Sequence, residues 1–397
     1  MGERTIFESI TEFDRQAENC LLKYDWKLFE IEKQLNILRY ISPLNTEREK
    51  AKFMKAQAAG RQYNPTLEYE PLGPEIKGFC RDLERIRVKM EKCRHSLLAP
   101  YCINKIDKLL YLIELFRIRG QEPAPSDFGE KMAELYGSPP ERLVLNARSN
   151  LKKYREIEEV ETLNSAAIRK GFEKEIRLSG LDWELRPARG GGAKLAVNSL
   201  RREIYIDDFA RFPENSIRRY LCHEIKTHVF RAENGKIQPF RVFLSGFPAY
   251  GETEEGLAVY NEYRSGLLDP ATLKKYSARV VAAAGCKEAT FSELFEELLP
   301  YFPPDKAYTH VQRVKRGLTD TSLPGGYTKD FIYLSGYQKV RAFMENQAFE
   351  SEALKVLYCG KIGLENFDLA RGLLEEGLLK APRFLPDFEE IKPAPDL

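Results

Sequence analysis

Histidine is scarce in this chain: four in 397 residues, so any two that fall together stand out. An excess of one charge is missing too. Lys+Arg 62 against Asp+Glu 60 leave a net charge of +2, which excludes a global field drawing the chain to nucleic acid or an anionic membrane. No apolar run approaches the ~20 residues needed to span a bilayer. The opening stretch from Met1 to Phe7 lacks the basic-then-apolar layout of a secretion signal. Ile6 likewise spoils the myristoylation pattern that Gly2 begins. The cysteines (Cys20, Cys80, Cys93, Cys102, Cys222, Cys286 and Cys359) include no CxxC pair, which argues against a cysteine-ligated metal site. Their odd number in a large chain predicts reduced thiols and a cytoplasmic location. Charged residues at 31% and hydrophobic ones at 43% describe a soluble globular protein with ample area for a core.

What is present first is helix. Leu21, Leu22, Trp26, Leu28, Phe29, Ile31, Leu35, Leu38 and Ile41 recur at helical spacing and stop before Pro43. Residues 51–59 predict a helix ending at Gly60, and residues 64–71 an extended connector between prolines. Two further helical patterns run through Leu83–Met90 and Ile106–Phe116, the latter ending at Gly120. The charges between them (Arg85, Arg87, Lys89, Glu91, Lys92, Arg94) read as a solvated face rather than a partner surface. Residues 121–126, rich in Pro, divide a helical N-terminal region (1–120) from a catalytic region (127–397). A charged helical stretch from Arg142 to Lys174 precedes three short β-like runs at 183–187, 193–197 and 203–206. The Gly190–Gly192 triplet between them has no helix start with Lys-Ser/Thr behind it, so it is a bend or loop, not a phosphate cradle. Downstream, Asp269-Pro270 and the Thr290/Glu293 box start helices, and a basic helix runs from Asp305 to Arg316, ended by Gly317. The proline-bearing tail from Pro382 to Pro395 is an extended wrap or a frayed end.

The stretch that organises the rest is Leu221 to His228. His223 and His228 lie five residues apart, with Glu224 directly after the first. In a zincin helix two histidines hold Zn²⁺ and the glutamate activates a water, but there the histidines are at i and i+4, about 40° apart. Five residues separate them by roughly 140° on a regular helix, so one metal can be reached only if the helix carries an inserted residue. Either these are two packed histidines or this is a distorted zinc helix, bulged between its ligands. Asn215 or Ser216 can cap its start, and Asn234-Gly235 predicts its end. Cys222 points ~100° away from His223 and reads as packing. His95, in the helical region, and His310 read as structural.

A catalytic zinc site keeps three protein ligands and leaves one position open. Glu254 and Glu255, 26 and 27 residues after His228, sit at the distance of a helix–loop–helix return. Gly256 and Ala258 beside them would let that helix approach the metal helix closely. Zinc would lower the pKa of water towards ~7, and Glu224 would take the proton and pass it to a leaving amine.

His223-Glu-Ile-Lys-Thr-His228 with Glu254-Glu-Gly-Leu-Ala258 resembles the microtubule-associated tyrosine carboxypeptidase family and its bacterial relatives with a QEGLA motif. The pattern extends to Arg231, Asn234, residues 313–317, 325–330 and 333–336, firmly over about 130–350 and weakly across the N-terminal helices through Asn64-Pro65 and Tyr69. The resemblance implies an α+β, mostly helical fold: a zincin-like catalytic part with a small sheet. It implies zinc on His223, His228 and Glu255, with Glu224 as base. Two residues depart from the family pattern: Lys226 stands where a small residue is expected, and Glu254 where the motif has Gln. A carboxypeptidase must also hold a terminal carboxylate, for which Arg313, Arg316 and Lys329 are the candidates unless the arginines only cover a helix surface. Tyr327 or Tyr333 would supply a phenol to the oxyanion, Tyr333 being assigned to catalysis and Tyr327 to substrate binding. The expected substrate is the C-terminus of a peptide or protein tail, with an aromatic preference. A zinc endopeptidase or dipeptidase, or a non-catalytic regulator that retains the fold, are the alternatives.

Overall fold

The computed structural model describes residues 15–35, 37–93, 96–119, 128–155, 161–188, 194–214 and 216–388. His95, Gly120, the linker at 121–126, the glycine triplet, Asn215 and residues 389–397 lie outside them. Helices α1 (Arg15–Gln34), α2 (Thr46–Ala58), α3 (Glu75–Glu91) and α4 (Ala99–Ile118) come first. The apolar series expected to run to Ile41 breaks near Leu35, and a separate five-residue helix, Ile37–Ile41, follows. The connector at 64–71 is extended; Asn45 brackets it, donating to the Thr66 carbonyl (2.8 Å) and accepting the Glu68 N–H (3.0 Å).

The expectation of reduced thiols needs correction at one pair. Cys20 of α1 and Cys93, just past α3, form a disulfide with Cα atoms 6.0 Å apart. An odd total hides such a pair because it says nothing about which residues packing brings together. Here Leu21 of α1 and Leu83 and Met90 of α3 belong to one buried cluster. Of the remaining cysteines, Cys102, Cys222, Cys286 and Cys359 are buried and free, and Cys80 is free and half-buried. The apolar core is continuous from α1 to the C-terminal helices. Phe53 of α2, for example, meets the rings of Phe291, Phe295 and Tyr308 at 5.1, 4.8 and 5.2 Å.

After α5 (Phe128–Tyr136) and α6 (Glu141–Lys153), the single helix expected over Arg142–Lys174 is interrupted. Strand β1 (Leu163–Asn164) intervenes, and α7 (Ser165–Leu178) starts afresh. Both helices present a charged face, so hydropathy carries no mark of the break. The Asn164 side chain makes it, accepting the Ala167 N–H at 3.1 Å as an N-cap. The three β-like runs appear within a residue or two of their expected places: β2 (Glu184–Ala188), β3 (Leu195–Asn198) and β4 (Glu203–Asp207). They form a sheet of order β2-β4-β3, with β2 parallel and β3 antiparallel to β4. Ile204 and Ile206 of β4 are fully buried, the alternation that marked the strand in sequence. β5 (Arg211–Phe212) pairs with β1, Phe212 opposite Leu163.

The chain then winds through α8 (Ser216–Tyr220), a π-helix (Leu221–Val229) and α9 (Phe230–Lys236) without interruption. The helix ends at Lys236, one residue past Gly235, at the expected stop. The Asn234 side chain also holds the C-terminal tail, accepting the Arg383 and Phe384 N–H groups (2.8 and 2.9 Å) and donating to the Phe384 carbonyl (2.7 Å). Then follow α10 (Val242–Ser245), α11 (Tyr250–Arg264), α12 (Pro270–Gly285), α13 (Phe291–Leu298), α14 (Pro304–Val314), α15 (Ile332–Glu345), α16 (Glu350–Leu357) and α17 (Phe367–Glu375). Asp269 caps α12 by accepting the Thr272 N–H at 2.6 Å, and Thr290 with Glu293 makes the expected capping box on α13. No helix among the described residues is long and apolar enough to cross a membrane.

One crossing fixes the depth of α11. A Cβ on Gly256 would stand 2.2 Å from the Gly336 carbonyl carbon, so α11 and α15 touch backbone to backbone. Gly256 therefore opens the way to α15, not to the metal helix as its sequence neighbourhood suggested. Gly256→Ala is expected to destabilise the fold by ~1–3 kcal/mol through overpacking. Urea unfolding tests this: an unchanged midpoint would mean that the two helices separate freely.

Candidate metal centre

A π-helix bonds N–H groups to carbonyls five residues back, so residues five apart rise one above another on the same face. That winding covers Leu221–Val229 and puts the His223 and His228 ring centroids 5.1 Å apart. The looser coil is held by side chains. Thr227 Oγ1 donates to the Cys222 carbonyl at 3.0 Å, and the Tyr358 hydroxyl donates to the Lys226 carbonyl at 2.8 Å. Buried Asn261 of α11 links the two, donating to Thr227 Oγ1 and to the Tyr358 oxygen, both at 2.7 Å. Each contact occupies an oxygen that would otherwise be underserved.

Both imidazoles are clamped through Nδ1. His223 Nδ1 donates to Glu262 Oε1 at 2.7 Å, and His228 Nδ1 to Glu254 Oε1 at 2.9 Å. A carboxylate only accepts, so each Nδ1 carries its proton and each Nε2 is turned to the same point. At that point lies Glu255 Oε2, 3.5 Å from His223 Nε2 and 3.7 Å from His228 Nε2. This oxygen is buried with no hydrogen-bond partner. Among the described residues, His223, His228 and Glu255 make up the one cluster whose ligand atoms all lie within 4.8 Å of one another. Two imidazole nitrogens and an orphaned carboxylate oxygen fit zinc by donor type and number.

The field agrees with the donor set. Burial opposes a charge on His223, but the two carboxylates that face it, Glu255 and Glu262, outweigh this and push its pKa up to about 10. Glu255 is likewise opposed by burial, yet the two imidazoles and the nearby Lys329 ammonium hold it below the usual carboxylate range. A positive charge is favoured where the three donors meet. Around them the outer carboxylates are themselves anchored. Glu254 takes Arg231 and Lys361 (3.3 Å), and Glu262 lies 3.6 Å from Arg219. Arg231 is wholly buried and also donates to the Leu357 and Ile362 carbonyls (3.1 and 2.7 Å). In the sequence Glu254 stands out only as a departure from a motif, and Glu262 shows only as a carboxylate seven residues after Glu255, two helical turns along one face of α11.

The site opens into a cleft of about 1600 Å³ lined by all nine residues proposed from the sequence. Glu224, half-buried, lies beside His223 on its wall. Tyr333 stacks on Tyr276 at 5.1 Å with the Arg279 guanidinium 4.5 Å from its ring centre, and lies 6.4 Å from the His223 ring. Burial pushes its phenol well up, so it remains a proton donor at neutral pH. Arg313 and Arg316 do not cover a surface. Both reach Asp330 Oδ2 (2.6 and 3.6 Å), and Arg316 lies 4.8 Å from the ring centre of Tyr327. No hydrogen bond or ion pair holds Lys329 among the described residues, which leaves its ammonium available beside Glu255. Cys222 is packing: buried, 3.6 Å from the Ser265 hydroxyl, its thiol pushed up to about 11 by burial. His310 packs on Phe302, its ring centre 4.8 Å away, outside the donor cluster. Lys226 is not on the cleft wall.

The family model of the microtubule-associated tyrosine carboxypeptidases matches residues 51–395. The chain belongs to that family. Among curated relatives, the mouse (Mus musculus) putative tyrosine carboxypeptidase MATCAP2 is 27% identical over 371 residues, covering 89% of this chain and 60% of the relative. The human (Homo sapiens) microtubule-associated tyrosine carboxypeptidase 1 is 29% identical over 293 residues, covering 68% and 59%. The chain thus spans about 60% of the length of the curated relatives it matches.

Glu262→Gln keeps the size of the side chain and removes the charge behind His223. Loss of such an outer-shell partner is expected to weaken zinc binding ~10- to 100-fold. Competition with a chromophoric chelator measures it; unchanged affinity would show that His223 is oriented without Glu262.

Proposed function

We propose that this chain is a zinc-dependent carboxypeptidase of zincin-like build that removes the last residue of a peptide or protein tail, with a preference for an aromatic one. The observation that carries the reading is the pair of Nδ1–carboxylate clamps turning two Nε2 atoms onto the orphaned Glu255 oxygen. Family membership supports the same reaction class, since the relatives are named as tyrosine carboxypeptidases.

His223, His228 and Glu255 would hold the ion. Zinc in such a site supplies a Lewis acid for a carbonyl oxygen and lowers the pKa of water. Glu224, on the cleft wall next to His223, accepts the proton of the attacking water and returns it to the leaving amine. Tyr333, kept protonated and aligned on Tyr276, donates to the oxygen on which charge develops. Lys329 supplies the positive charge that receives a terminal carboxylate, while Asp330 fixes Arg313 and Arg316 behind it. Tyr327, packed edge-on against Tyr136 at 5.4 Å, gives the cleft an aromatic wall near these cations, which suits an aromatic last residue.

Glu224→Gln should retain about one zinc per chain by elemental analysis and lose ~10²- to 10⁴-fold in kcat. A variant that keeps full activity would remove Glu224 from the chemistry. A matched pair of peptides, one with a free C-terminal carboxylate and one amidated, separates an exopeptidase from an endopeptidase. The free acid should be cleaved and the amide spared; equal cleavage would favour the endopeptidase.

A further inference from the structure

The family match begins at residue 51, yet α1, which precedes it, reaches into the wall of the cleft. Asp25 of α1 accepts the Arg241 and Val242 N–H groups, the latter at 3.0 Å, at the start of α10. Glu32, two turns further along α1, meets Lys105 of α4 at 2.9 Å, and both side chains are more than nine-tenths buried. The Lys105 ammonium then donates to Ser245 Oγ (2.7 Å) and to the Gly246 carbonyl (2.6 Å) at the end of α10. All three donor sites of that ammonium are therefore used. The contacts converge on residues 241–250, the turn that leads into the helix bearing Glu254 and Glu255.

This turn is a backbone that needs holding. Gly246 has φ 98°, and Ala249, which has no licence for that region, has φ 64°. Strain of this kind persists only where the surroundings over-determine it. Residues 244–251 also form part of the cleft wall that includes His223, Glu224 and Glu255. We propose that Lys105, together with Asp25 and Glu32, is a positioning residue that holds the 241–250 lip of the cleft in place. A segment lying before the family match would thus set the shape of the space in which the substrate tail lies. The substrate part of this inference rests on the peptidase reading; the structural part does not.

The test uses the full chain with Lys105→Met, Lys105→Arg and Asp25→Asn. Amide hydrogen exchange by mass spectrometry, with no substrate present, should show residues 241–250 opening about tenfold faster in Lys105→Met and Asp25→Asn. Exchange in α12 and α13 should stay as in the wild type. Lys105→Arg, which can still donate to the same acceptors, should recover most of the protection. On a cleavable peptide, Lys105→Met should raise KM several-fold with zinc content and kcat held. Unchanged exchange at 241–250, or equal acceleration throughout the chain, would overturn the proposal. A wild type that cleaves no peptide would overturn the peptidase reading and leave the exchange result to judge the lip.

Discussion

Two imidazoles five residues apart can face one point only if the backbone between them takes an extra residue into its turn, and much of the C-terminal half is arranged around that demand. A π-turn gives up the close fit of an α-helix, so its carbonyls need partners from elsewhere. Thr227, from within the turn, and Tyr358, just past α16, each donate to one of them, and Asn261 of α11 holds both hydroxyls in place. The helix that carries Asn261 is the same one that carries Glu254, Glu255 and Glu262. The element that stabilises the bulge is therefore the element that completes the donor set, and the two tasks cannot drift apart.

Charge is balanced in nested layers. Innermost are two imidazoles and one carboxylate; behind them Glu254 and Glu262; behind those Arg231, Lys361 and Arg219. A buried carboxylate is tolerable only when paired and hydrogen-bonded, and each outer one is. This explains how Glu254 can stand where the family motif has an amide: Arg231 and Lys361 hold it well below the usual carboxylate range against the opposing effect of burial. The departure from the motif is absorbed behind the His228 ring.

How much of this was legible in the sequence depended on the range of the interaction. Helices, the small sheet and the caps at Asp269 and Thr290 are written in local periodicity and hydrogen bonding, and they were readable. So was the π-bulge, because a one-residue surplus in a two-histidine motif admits one geometric remedy. The break at Asn164 was missed since both flanking helices are polar on one face. Cys20–Cys93 and the Asp330 pairing with Arg313 and Arg316 join residues that the sequence keeps apart and only packing brings together, and no spacing rule announces them. Gly256 was noticed for the right reason, its lack of a side chain, but assigned to the wrong neighbour.

That glycine carries a further consequence. Helix–helix distances in most cores are negotiated between side chains, so they shift whenever a neighbour changes size. At the Gly256–Gly336 crossing nothing is left to negotiate, because main chain rests on main chain. Glu255, one residue away, inherits a position referenced to a hard stop. The walls of the cleft can then be remodelled while the Glu255 carboxylate stays at its address, which lets the shape of the cleft change without moving the donor atoms behind it.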